Sequence, residues 1–123
     1  MQKSVLIAES NRFFLTTLSE AFPLLGFTVV GTTSKLSALN VLAQKTEPDL
    51  LVFDLHLSTN GIAGLTDLQN LKDQLPDMKI LVLGIHEAAD QFVELIVNAG
   101  FDGFWNKYDK RAGFINILNF LFP

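Results

Sequence analysis

The amino-acid sequence predicts an α/β domain: a doubly wound, parallel sheet of five strands with helices on both faces. Three observations carry this. Short β-branched and leucine-rich runs recur along the chain, separated by stretches whose apolar residues follow helical spacing. The middle runs are apolar without alternation, as strands covered on both faces are, whereas strands with one wet face alternate. Glycine and proline fall between these textures.

Taken in order, Val5 to Ala8 is the first strand run, followed by a helix whose stripe is Phe14, Leu18, Ala21 and Phe22. Pro23 lies in its last turn, which predicts an end or a kink near Phe22. Gly26 opens the second run, Phe27 to Val30, and Gly31 closes it. Pro48 leads into the third run, Leu50 to Phe53. A second stripe, Leu65, Leu68, Leu71 and Leu75, is followed by Pro76 and the fourth run, Ile80 to Leu83. A third stripe, Phe92, Leu95, Ile96 and Ala99, stops at Gly100, and Phe101 to Trp105 is the fifth run. Lys110 to Phe122 is the last helix. Five strand–helix units with right-handed crossovers predict the strand order 2-1-3-4-5 of flavodoxin-like folds. There is no repeat and no linker, and 123 residues suit one domain spanning 1–123.

Composition narrows the function. Hydrophobic residues are 49% and charged residues 18%, which excludes a disordered segment. Nine Lys and Arg stand against thirteen Asp and Glu with no basic block, so direct nucleic-acid binding by this domain is not expected; Lys107, Lys110 and Arg111 are too few. With no cysteine there is no disulfide framework, thiolate zinc site or Cys nucleophile. No apolar run approaches the roughly 18 residues that span a bilayer. A soluble cytoplasmic location without membrane association is expected.

In a doubly wound sheet, chemistry collects at the carboxyl ends of the strands, at the switch point between strands 1 and 3. Strand 1 ends in Ala8-Glu9-Ser10, strand 3 in Phe53-Asp54, strand 4 in Gly84-Ile85-His86 and strand 5 in Asn106-Lys107. Glu9 and Asp54 would converge there with Lys107. Paired acids repel unless a cation or a proton intervenes. Such a cleft suits Mg²⁺, and an ammonium beside it could hold a phosphoryl oxygen. Solvated strand-end acids are the plainer alternative. His56 and His86 fall near the same rim; a transition-metal site built from them is the sharper reading and solvated loop histidines the favoured one. The chain has no G-x-G-x-x-G, P-loop or nucleophile-elbow pattern, so an enzyme or cofactor binder is not expected.

Over essentially its whole length the sequence resembles the receiver domain of bacterial two-component response regulators, most of all receivers that precede a helix-turn-helix DNA-binding domain. The matching segments are Val5 to Glu9, Gly26 to Gly31, Glu47 to Leu55, Pro76 to Leu83 and Ala99 to Lys107. The resemblance implies phosphorelay signalling, with Asp54 as phosphoacceptor from a histidine kinase or phosphotransfer protein and Lys107 contacting the phosphoryl oxygens. It implies Mg²⁺ held by Glu9, Asp54 and the backbone carbonyl of His56. A downstream output domain outside these residues is also implied.

The chain departs from the family at the site. Ser10 stands where the family carries a second acid that binds the metal, so Ser10 is a weak ligand and Mg²⁺ binding is expected to be weakened or lost. Two unit charges 4 Å apart are worth about 4 kcal/mol at an effective dielectric of about 20, and each 1.4 kcal/mol retained is about tenfold in affinity. Gly84 replaces the usual Ser or Thr at the end of strand 4. Phe104 keeps the coupled aromatic of strand 5 without its polar tip. The loop after Asp54 lacks the family's proline, carries its own turn signal at Asn60-Gly61, and reaches Gly64 late; Tyr108 follows the lysine where proline is common. The alternative reading is therefore a degenerate receiver that acts as a phosphorylation-independent dimerisation or interaction module. The last helix is apolar nearly all round, which predicts a homodimer, or a contact with a downstream domain, covering Phe114, Leu118 or Phe122.

Overall fold

The computed structural model describes residues 2–57, 65–84, 94 and 97–123. Five parallel strands, β1 (Lys3–Ala8), β2 (Phe27–Thr33), β3 (Leu50–Asp54), β4 (Lys79–Gly84) and β5 (Gly103–Asn106), form one sheet in the order β2-β1-β3-β4-β5. Among the described residues the helices are α1 (Arg12–Leu24), α2 (Leu36–Thr46), α3 (Leu65–Gln74) and α4 (Arg111–Leu121), with a 3-10 turn at Leu55–Leu57. The expected fold class and strand order are both observed.

Strand side chains divide by parity between two cores, the consequence of a period of two on a sheet covered on both faces. Leu6, Ala8, Leu51, Phe53, Ile80 and Val82 point toward α2 and α3. Val5, Ile7, Leu50, Val52, Leu81 and Leu83 point toward α1 and α4. Each buried aliphatic side chain contributes about 1.5–3 kcal/mol relative to exposure, which is why runs so uniformly apolar become central strands. In β3 every residue from Leu50 to Asp54 is buried, so its terminal aspartate is buried too.

α1 carries Pro23 in its last turn and ends at Leu24, close to the end expected near Phe22. The amides of Leu25 and Gly26 close the turn onto the carbonyls of Phe22 and Pro23, and Gly26 takes φ +89°. Proline is tolerated there because only one hydrogen bond of a terminal turn is lost. Two expectations are corrected. Gly31 does not close β2, which runs on to Thr33. The pairing with β1 slips between Val5 and Leu6, and a Cβ at Gly31 would lie 3.0 Å from Leu6 Cδ1. Phe114 and Leu118 are not available to a partner. Both are buried in the α1/α4 core, Phe114 edge-on to Phe22 and to Trp105. Phe122 is half-buried against Phe27, and the fully exposed aromatic of α4 is Phe120. The apolar circumference of this helix is thus mostly spent on the chain's own core. Most of the Phe92–Ala99 stripe lies outside the described residues; Ala99 packs on the α2/α3 core.

Candidate functional site

β1 and β3 are adjacent in the sheet, so their carboxyl ends deliver Glu9 and Asp54 side by side, and β5 delivers Lys107 from beyond β4. Glu9 directly follows β1, its amide bonded to the carbonyl of Thr33 at 3.0 Å. Asn11 caps α1 by accepting the amide of Phe14 at 2.9 Å, and its own amide donates to Glu9 Oε1 at 3.2 Å. The same local turn therefore starts the helix and orients the acid. On the opposite side, buried Asn106 accepts the Tyr108 amide at 2.9 Å, and the Lys107 amide donates to the Gly84 carbonyl at 3.0 Å.

Glu9 and Asp54 have no solvent exposure, and the Lys107 side chain is 12% exposed. Lys107 Nζ lies 2.5 Å from Glu9 Oε1 and 3.1 Å from Asp54 Oδ1, bridging the two acids. It also sits 5.0 Å from the centroid of the Phe14 ring, whose face supports the ammonium. Asp54 is well supplied with donors. Oδ1 also accepts the His56 amide at 3.1 Å, and Oδ2 accepts the Ser10 amide at 3.0 Å and the Ser10 hydroxyl. Glu9 Oε2, by contrast, is buried with no hydrogen-bond partner.

This asymmetry separates the two acids. Burial raises both carboxyls. At Asp54 the Ser10 hydroxyl, the amides of Ser10 and His56 and the Lys107 charge outweigh burial, so its pKa lies below the usual carboxylate value. At Glu9 burial prevails over the Lys107 hydrogen bond, the Asp54 charge adds to it, and the pKa rises to about 7. Asp54 is ionised at neutral pH, where Glu9 lies close to its midpoint.

The orphaned Glu9 Oε2 beside a second carboxylate is chemistry a hard divalent cation fits. Glu9, Asp54 and the backbone carbonyl of His56 are the residues that would hold it, with Ser10 offering a neutral hydroxyl in place of a charge. The His56 side chain is exposed, and His86 lies outside the described residues, as do the Asn60-Gly61 turn and Gly64. Among the described residues no group of three or more His, Cys, Asp or Glu is placed to hold a metal. Above the acids a cleft of about 430 Å³ is lined by Ser10, Asn11, Phe13, Phe14, His56, Lys107 and Tyr108. Sequence reasoning had no role for Asn11, Asn106 or the ring of Phe14. The N-cap pattern before α1 was a signal that could have found Asn11; contact between Phe14 and Lys107 has no local signal.

Comparison with known proteins bears on the family and the fold. A family model described as "Response regulator receiver domain" matches residues 5–119. The chain is 35% identical over 63 residues to a nitrate/nitrite response regulator protein homolog of Haemophilus influenzae, an alignment covering 51% of this chain and 29% of that protein. The chain thus spans less than a third of the curated relative it matches. It superposes on RcsB of Salmonella enterica serovar Typhimurium, bound to promoter rprA with a phosphomimetic, with a TM-score of 0.84 and 20% identity, over 98% of this chain and 60% of that one. A response regulator of Burkholderia pseudomallei with a phosphorylated aspartic acid, a calcium ion and citrate gives a TM-score of 0.78 and 25% identity, over 95% of this chain and 66% of that one. Among the described residues no helix is long and apolar enough to cross a membrane.

Proposed function

The chain belongs to the response regulator receiver domain family, and from that premise we propose that it serves in phosphorelay signalling, accepting a phosphoryl group on Asp54. The observation that carries the reading is Lys107 Nζ at 3.1 Å from the oxygen of an acid held ionised at the end of β3.

In the proposed step Asp54 is the nucleophile and a phosphohistidine of a kinase or phosphotransfer protein is the donor. The new bond forms between an Asp54 oxygen and phosphorus as the phosphorus–nitrogen bond breaks. The leaving imidazole keeps the electron pair and takes up a proton. Such transfers need positioning and charge neutralisation more than covalent help. The amides of Ser10 and His56 fix the carboxylate, and Lys107, drawn partly from Glu9, meets the charge of the incoming oxygens. Ser10 is exposed, and its hydroxyl would have to turn away from Oδ2 for that oxygen to meet the donor. A bound Mg²⁺ would supply further charge neutralisation on the phosphoryl oxygens. The domain is regulatory rather than an enzyme, it works in the cytoplasm beside its donor, and a DNA-binding output region elsewhere in the protein carries the response.

A second reading is a receiver that signals without phosphorylation. Two observations favour it: the Ser10 hydroxyl is spent on Asp54, and no hydroxyl stands at Gly84. One experiment separates the two. The chain is incubated with Mg²⁺ and acetyl phosphate or phosphoramidate and weighed intact by mass spectrometry. A phosphoryl adduct that Asp54→Ala lacks supports transfer; no adduct with either donor retires it in favour of the second reading.

A further inference from the structure

Both oxygens of Asp54 are occupied. Oδ1 meets Lys107 Nζ and accepts the His56 amide, each at 3.1 Å, and Oδ2 accepts the Ser10 amide at 3.0 Å and the Ser10 hydroxyl. The carboxylate has no solvent exposure, whereas Ser10 is exposed and lines the 430 Å³ cleft together with Lys107. Ser10 therefore stands between a buried anion and the space from which a donor arrives. Two hydroxyls line that cleft, those of Ser10 and Tyr108, and among the described residues only the Ser10 hydroxyl donates to a carboxylate. Its oxygen accepts no hydrogen bond from any described residue, so its lone pairs are free. A hydroxyl is a weak nucleophile alone and is activated by a base within hydrogen-bond reach. An aspartate that takes the proton of an attacking hydroxyl is a known arrangement for phosphoryl transfer.

We propose that Ser10 is itself a phosphoryl acceptor, with Asp54 as its general base. The inference rests on the reading above for its donor, a phosphoryl group carried on nitrogen, and departs from it in the acceptor. Ser10 Oγ attacks phosphorus, and the new oxygen–phosphorus bond forms as the phosphorus–nitrogen bond breaks. The nitrogen leaves with the electron pair. The hydroxyl proton passes to Asp54 Oδ2 and from there to the departing nitrogen, so the carboxylate is regenerated. Lys107, on the wall of the same cleft, offsets the charge on the phosphoryl oxygens. The product lies immediately before Asn11, the N-cap of the 13-residue helix α1, with Arg12 next in sequence. A dianion at the positive end of a helix is favoured there, which counters its repulsion by Asp54. Esterified Oγ has no proton to give, so the hydroxyl link between the start of α1 and the end of β3 is lost. An alcohol ester also lacks the activated carbonyl that makes an aspartyl phosphate short-lived, and the mark outlasts the donor.

The test uses phosphoramidate with Mg²⁺, a donor with a phosphorus–nitrogen bond and no acyl group. After incubation the chain is divided, and one half is treated with neutral hydroxylamine, which strips phosphoryl groups from carboxylates and leaves those on hydroxyls. Intact mass and peptide fragmentation then locate the adduct. The expected result is a hydroxylamine-resistant phosphoryl group on Ser10 of the native chain, absent from Ser10→Ala. Ser10 is exposed, so its alanine variant keeps the fold, as circular dichroism checks. Asp54→Asn retains an acceptor for the hydroxyl but is a far weaker base, and the resistant adduct should form roughly a hundredfold more slowly in it. A resistant adduct that persists in Ser10→Ala overturns the proposal, as does one that forms on Ser10 at an undiminished rate in Asp54→Asn. An adduct that hydroxylamine removes completely, and that Asp54→Ala lacks, overturns it while leaving Asp54 as the acceptor. No adduct of either kind overturns both.

Discussion

The ring of Phe104 fills the space into which any side chain at residue 84 would grow: a Cβ built on Gly84 would lie 2.8 Å from ring carbon Cε2 and 2.9 Å from Cζ. The two residues sit on neighbouring strands, Phe104 opposite Val82 and Gly84 opposite Asn106, at the end of the sheet that carries the acids. The glycine that removes a hydroxyl from this rim therefore also makes room for the aromatic ring.

Gly84→Ala should displace the Phe104 ring, since the clash is with the far end of a half-buried side chain. Such overpacking costs roughly 1–3 kcal/mol. In a Phe104→Ala background the same substitution should cost far less. Urea unfolding of the four proteins gives the coupling directly, and additive losses would show that the ring does not depend on the missing Cβ.

Lys107→Met leaves two fully buried carboxylates facing each other without their shared cation. Losing one partner of such a buried cluster costs about 3–5 kcal/mol. The loss should be largest above neutral pH and smaller in mild acid, where Glu9 takes a proton. Chemical denaturation at both pH values would reveal an ornamental lysine by an equal, small effect.

The pH dependence of stability follows from Glu9. Its carboxyl titrates at about 7 in the fold against 4.5 for an ordinary glutamate. Between those values the folded chain holds a proton that the unfolded chain has released, so stability falls as pH rises through that window. Asp54 acts in the opposite sense: its lowered pKa contributes stability above 3.8, lost as pH falls further. Urea midpoints of the native chain should decline between about pH 5 and about 7.5, and those of Glu9→Gln should stay nearly flat. Parallel curves would remove Glu9 as the source.

Ser10→Asp places a further carboxylate next to Asp54, whose Oδ2 now accepts from the Ser10 amide and hydroxyl. Mg²⁺ affinity, measured by calorimetry, should tighten by roughly tenfold or more. Without metal the variant should be less stable than the native chain, because a third carboxylate enters an acidic cluster. Unchanged affinity would mean that residue 10 does not face the cation.

Gly113 lies in the first turn of α4, where an added Cβ would stand 3.7 Å from Trp105 Nε1, a buried donor without a partner. Gly113→Ala should stabilise by about 0.5–1 kcal/mol through the backbone. Gly113→Ser should add to that if its hydroxyl accepts from the indole, giving a higher thermal midpoint than alanine does.

The fold was legible because its cause is local and repetitive. Strands buried on both faces must be apolar at every position, so Leu50 to Phe53 and Ile80 to Leu83 declare themselves without their neighbours, and crossover handedness then leaves few topologies. Glu9, Asp54 and Lys107 were legible for a related reason: each ends a strand, and strand order alone brings strand ends together. Gly31 was misjudged because residue type marks a bulge no differently from an element end.

What tertiary structure alone decided is which groups share each charge and each space. The Asp54 pKa is lowered and that of Glu9 raised because donors from Ser10, His56 and Lys107 converge on one acid and leave an oxygen of the other bare, an outcome of ångström-scale placement that residue identity does not encode. The inward burial of Phe114 and Leu118 was equally hidden, since an apolar helix looks the same whether its own sheet or another molecule covers it. Sequence determines which residues seek burial or a counter-charge; only the packed chain determines which of them find it, because those energies depend on distance and on exclusion of water.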